Sequence, residues 1–108
     1  METNVLKGLP ASPGVHVGQA VVAERPGTPV RIGGVLVIKH ASLDWFEAMT
    51  QAGSVVTETG GRTSHAATIC RELRKPCVTA VANITAVLSD GQWLAVDGEA
   101  GTVTILPS

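Results

Sequence analysis

The chain has 108 residues, with 8 Lys and Arg against 9 Asp and Glu, and a formal net charge of −1 offers no basic surface to nucleic acid. Apolar side chains make up 44% but aromatic ones only 3%, with no Tyr and a single Phe46, so Val, Ala, Leu and Ile must fill the interior. A chain this long supports one hydrophobic core, so residues 1–108 are read as a single domain.

In chain order, Glu2, Pro10 and Pro13 stand where a secretory leader would need a basic start and an apolar stretch, so no export signal is expected and the location is read as cytoplasmic. Strands are predicted near Val15–Glu24 and Val35–Lys39, with Pro26–Gly34 as a surface loop between them. The apolar run Val35–Ile38 falls far short of the roughly 20 residues that cross a bilayer, so no membrane partner is expected. Trp45, Phe46, Met49 and Ala52 recur at helical spacing and predict a helix over Asp44–Ala52, capped by Ser42 or Asp44 and closed by a left-handed Gly53. A strand over Ser54–Thr57 follows. A second helix is predicted over Ser64–Arg74, with Ala66, Ile69, Cys70 and Leu73 facing inward and Pro76 stopping it. Three more strands are expected, near Cys77–Val81, Gln92–Val96 and Thr102–Leu106, with Asp90-Gly91 as a turn and Gly98–Gly101 as a hairpin loop.

Cys70 and Cys77 fit neither a CxxC redox pair nor a zinc knuckle, and are read as small, reduced, apolar side chains. No His, Cys and carboxylate cluster suggests a metal, and His16 and His40 are read as surface or strand-end residues.

One segment concentrates chemistry: Gly60-Gly61-Arg62-Thr63-Ser64-His65-Ala66-Ala67, between a strand and a helix. Gly60 and Gly61 permit tight turning and close approach by a ligand, and the first amides of the helix point at any anion placed there. His65 in the opening turn lies at the positive end of the helix dipole, which disfavours imidazolium and leaves a lone pair free to attack phosphorus. The same residues also read as an ordinary turn followed by a helix-surface histidine, and spacing alone does not choose between the two. Adjacent Ser64 and His65 project about 100° apart on a helix, which opposes a serine hydrolase relay. No Lys-Ser or Lys-Thr follows the glycines, so this chain is not expected to bind ATP by itself.

That segment, continuing through Arg71-Glu72-Leu73 to Pro76 and Val78, resembles the phosphohistidine motif of the mobile, swivelling domain of PEP-utilising enzymes: pyruvate phosphate dikinase, phosphoenolpyruvate synthase, Enzyme I of the sugar phosphotransferase system and rifampicin phosphotransferase. Gly8–Gly14 and the stretch from Asp90 to Val103 resemble the family's opening segment and closing hairpin, so the resemblance covers essentially the whole chain. It implies an α/β domain of the β/β/α swivelling type, with short strands and two main helices. It also implies that His65 is the catalytic residue, phosphorylated through Nε2, with Gly60, Gly61, Arg62, Thr63 and Ser64 around the phosphate. Thr63 matches a regulatory threonine of the plant dikinase and reads equally as a helix cap, while Ser64 reads first as the cap. Arg71 is read as paired with Glu58 or Glu72, and Glu58 as a brace for the loop.

The implied partners are a nucleotide-binding, ATP-grasp-like subunit or domain that brings ATP and magnesium, and a PEP- or acceptor-binding subunit or domain. This chain would bind no cofactor alone. The chain is read as either a free-standing shuttle or a piece cut from a longer polypeptide, and Met1 with a complete domain leans toward the former; the alternative function is a non-catalytic docking or regulatory module that keeps the fold. The sequence departs from the family pattern in three places. Arg74-Lys75 replace a Gly and an apolar residue at the end of the second helix, so the helix end is open to change or the two cations serve a helix C-terminus or a partner. Ala80 and Ala82 stand where Gly is common, and Leu43 where Pro is frequent.

Overall fold

The structure, a computed structural model, describes residues 4–107. Its strands are β1 (Asn4–Lys7), β2 (Leu9–Ser12), β3 (Val15–Val22), β4 (Val35–Ile38), β5 (Ser54–Thr57), β6 (Cys77–Thr79), β7 (Trp93–Asp97) and β8 (Thr102–Ile105). A 3-10 turn over Leu43–Trp45 leads into helix α1 (Phe46–Gln51), and α2 (His65–Leu73) and the short α3 (Ile84–Val87) follow.

The strands form one sheet in the order β1-β8-β7-β3-β4-β5-β6-β2. β3 to β6 are parallel, while β1, β8, β7 and β3 form an antiparallel arm. The long β3 belongs to both parts, pairing through Val15–Gln19 with β7 and through Ala20–Val22 with β4. Because side chains alternate across a strand, one apolar run serves two cores. Leu36, Ile38, Val55 and Cys77 pack with Trp45, Met49, Ala66, Ala67, Ile69 and Cys70 beneath the helices. Val35, Val37, Val56 and Val78 pack instead with Leu94, Val96 and Val103 of the antiparallel arm. Each such side chain contributes about 1.5–3 kcal/mol when fully buried, which is why the Val35–Ile38 run has no polar position. The result is three layers, antiparallel sheet, parallel sheet and helices, the α/β architecture that the resemblance implies.

The two principal helices and the six expected strands stand where the sequence places them, within a residue or two at most ends. β1, β2 and α3 were not expected. β1 and β2 are the two edge strands, and Pro10 can sit in β2 because an edge position need not donate on both sides. Gly53 is a correction. Ala52 closes α1 in an extended conformation and Gly53 is not left-handed. It is glycine because the His16 ring lies against its backbone, where a Cβ has no room. Ser42 precedes the 3-10 turn but makes no side-chain cap; its carbonyl accepts from Trp45 N at 3.0 Å.

Parallel β4, β5 and β6 end on one edge, and α2 begins there. The segment Glu58–Ser64, which joins β5 to α2, therefore lies at the carboxyl edge, where α/β sheets present their ligand-handling loops.

Candidate functional site

Ser64 is the N-cap of α2, with extended backbone, and its hydroxyl is used twice: Oγ donates to Gly61 O at 2.8 Å and accepts from Ala67 N at 3.3 Å. The capping role thus falls to Ser64 rather than Thr63, which stands just outside the helix and is exposed. Gly60 takes φ +109°, a conformation that a side chain strains, and a Cβ there would meet Ser64 Cβ and Oγ at 3.1 Å. Gly61 differs from the sequence expectation, since it needs no positive φ and simply leaves open space beside the loop.

His65 is the first residue of α2 and is exposed, as is Arg62. Among the described residues, no backbone or side-chain acceptor bonds the amides of His65 and Ala66, whereas Ala67 and Thr68 are satisfied by Ser64. An exposed imidazole, next to two free amides and the positive end of a nine-residue helix, can hold an anionic group on a ring nitrogen. A cleft of about 640 Å³ opens on the same edge, with Lys39, His40, Trp45 and Thr85 in its wall, but neither His65 nor residues 60–64 line it.

The root of the loop is fixed to the sheet. Glu58 N donates to Ile38 O and Lys39 O at 3.1 and 3.0 Å, and Thr59 N to Lys39 O at 3.0 Å. Thr57 Oγ1 donates to Thr59 O at 2.6 Å. Glu58 is not paired with Arg71. Its Oε1 accepts from Thr85 N at 3.0 Å and Thr85 Oγ1 at 2.5 Å, and these bonds hold its carboxyl below the usual carboxylate range. Thr85, which the sequence does not single out, is thereby part of the loop's support.

The end of α2 explains the departure at Arg74-Lys75. Arg74 takes the left-handed cap conformation itself, φ 57°, without glycine, and Lys75 N reaches Cys70 O at 2.9 Å. Lys75 turns away to α1, where Nζ donates to Met49 O at 3.0 Å, Thr50 O at 2.6 Å and Ala52 O. It serves a helix C-terminus, but that of the neighbouring helix. Ala80, where Gly is common in the family, also takes a left-handed φ of 59°.

His40 is exposed just past β4 and His16 is the second residue of β3, the strand-end positions expected, but His16 is half-buried, with Nδ1 2.8 Å from Ser54 Oγ. Cys70 and Cys77 are free and buried, and the hydrogen bond from Cys70 together with burial pushes the Cys77 thiol up. Among the described residues, no group of three or more His, Cys, Asp or Glu is placed to hold a metal ion, and no helix is long and apolar enough to cross a membrane.

Residues 30–101 match the family described as PEP-utilising enzyme, mobile domain. The chain is 41% identical over 102 residues to the phosphoenolpyruvate synthase of Aeropyrum pernix and 43% identical over 101 residues to that of Pyrococcus furiosus. Each match covers 92% of this chain and 12% of the relative, so the chain spans about an eighth of these enzymes' length. Among solved structures, an Enzyme I solution structure aligns with a TM-score of 0.62 and 27% identity, covering 77% of this chain and 34% of that one. The aconitase X crystal structure from Thermococcus kodakaraensis aligns with a TM-score of 0.75 over 96% of this chain and 99% of that one; at 18% identity it shares the fold alone.

Proposed function

The chain belongs to the mobile-domain family of PEP-utilising enzymes, and from that membership we propose that it is a phosphohistidine carrier, not active alone. His65 accepts a phosphoryl or pyrophosphoryl group from an ATP- or PEP-using partner and passes it to an acceptor such as pyruvate or a hydroxyl compound. The observation that carries this reading is the exposed His65 ring at the capped opening turn of α2, with the His65 and Ala66 amides free beside it.

In the loading step the His65 ring nitrogen attacks phosphorus, a P–N bond forms, and the bond from phosphorus to the donor's oxygen breaks. In the second step an acceptor oxygen attacks, the P–N bond breaks, and the imidazole is restored. The P–N bond holds the group, and the free amides and the helix dipole stabilise its charge by about 0.3–1 kcal/mol, too little to make it a poor donor. Arg62 and the Thr63 hydroxyl stand outside the helix, available to the same group. Ser64 acts by fixing the loop, since its hydroxyl proton is committed to Gly61 O. Gly60 sets the turn, and Gly61 leaves the space through which a donor or acceptor approaches.

In-line transfer needs charge neutralisation that this surface supplies sparsely, so the donor nucleotide with its magnesium, and the acceptor, belong to partner subunits or domains: an ATP-grasp-like unit and a PEP- or acceptor-binding unit. The test is a hybrid in which this chain replaces the matching segment of a phosphoenolpyruvate synthase relative. Turnover by the wild-type hybrid, lost on His65→Ala, is expected; turnover that survives the substitution overturns the proposal.

A further inference from the structure

We propose that Glu58 is a positioning residue for transfer at His65, and that it acts by locking the root of the His65 loop to α3 through Thr85; this rests on the carrier reading above. Residues 58–63 are the whole connection between β5 and the cap of α2. Beyond Thr59 the recorded bonds of that connection are internal, from Ser64 N and Oγ to Gly61 O. The tie to the rest of the fold is therefore made at Glu58 and Thr59: their amides and the Thr59 hydroxyl, which donates to Lys39 O at 3.2 Å, bind the end of β4, and the Glu58 carboxylate reaches α3 at Thr85.

The dependence runs both ways. α3 has four residues and its N-cap, Asn83, offers no side-chain bond, so the amide of Thr85 is satisfied from outside by Glu58. The carboxylate takes the Thr85 amide and hydroxyl together, and two charge-assisted bonds fix its rotamer. Val81 N donates to Thr57 O at 3.0 Å, so the chain entering α3 is joined to the chain entering the His65 loop twice, at Thr57 and at its neighbour Glu58. A shift of α3 moves Glu58, and with it the start of the segment that aims His65. The two bonds from Thr85 favour the charged carboxylate and lower the Glu58 pKa.

The experiment compares wild type, Glu58→Ala, Glu58→Gln, Thr85→Ala and the double Ala variant in the hybrid enzyme, by the rate of His65 phosphorylation. Phosphoramidate, a small donor that needs no partner, labels His65 in parallel. Glu58→Ala is expected to slow partner-dependent phosphorylation about ten- to a hundred-fold, the scale of a misaligned reactive group, while phosphoramidate labelling stays at the wild-type rate. Glu58→Gln, which keeps an acceptor oxygen, restores most of the rate. Thr85→Ala shares the loss with Glu58 intact, and the double variant is no slower than the slower single one. A wild-type rate in Glu58→Ala, an additive double variant, or a Gln variant as slow as Ala overturns the proposal. An unphosphorylated wild type overturns the carrier reading instead.

Discussion

The imidazole of His16 occupies the space in which a side chain at position 53 would begin, and its Nδ1 is hydrogen-bonded to the next residue, Ser54, at 2.8 Å. β3 is thereby joined to the first residue of β5, across the end of β4, at the amino edge of the parallel strands. The chain holds one histidine in structure at that edge and presents another, His65, at the opposite one.

Gly53→Ala is expected to destabilise the fold by about 1–3 kcal/mol, because the ring must leave its place or the backbone must move. Urea unfolding measures this. In a His16→Ala background the same substitution should cost much less, since the obstacle is gone; equal costs in both backgrounds would contradict the assignment.

Burial holds the His16 pKa below its ordinary 6.5, and the charge on Lys75 lowers it further against the raising bond to Gly33. Below pH 6.5 the unfolded chain takes up a proton that the folded chain resists, so stability falls as pH drops from 6.5 toward the folded value. Glu58 has the opposite charge type and a separate window. Its pKa is lowered from 4.5, so its contribution is present above pH 4.5 and is lost as pH falls below it. Thermal unfolding from pH 8 to 3 should show both limbs, and His16→Gln should remove the upper one only.

Arg74 and Ala80 hold left-handed conformations, φ 57° and 59°, that glycine adopts without strain. Arg74→Gly and Ala80→Gly are each expected to raise stability by about 1 kcal/mol, or about 4–8 °C in Tm for a domain of this size. A lowered Tm in either variant would mean that the side chain contributes more than its backbone costs.

Much of this was legible in the sequence because it is written in contiguous residues. The glycine-fronted segment from Gly60 to Ala67 lies between a strand and a helix, and both helices carry an inward stripe. The buried strands announce themselves as apolar runs because both their faces are covered. Edge strands carry no such pattern, and β1 and β2, with Pro10 and only one packed side, were missed. Contacts between distant elements were equally hidden. Nothing local marks Thr85 as the partner of Glu58, or shows that the Lys75 ammonium satisfies carbonyls at the end of α1. Gly53 was given the right residue type for the wrong reason, since a glycine after a helix reads as a cap until the His16 ring is seen against it.

The most direct test of the carrier account is to locate the phosphorus. The chain is exposed to the nucleotide-charged partner, digested under alkaline conditions and mapped by mass spectrometry, with 31P NMR recorded before and after the acceptor is added. The account predicts one acid-labile phosphoramidate, on His65, that disappears when the acceptor arrives. Phosphate on His16 or His40, or a phosphorylated His65 that no acceptor discharges, would contradict it.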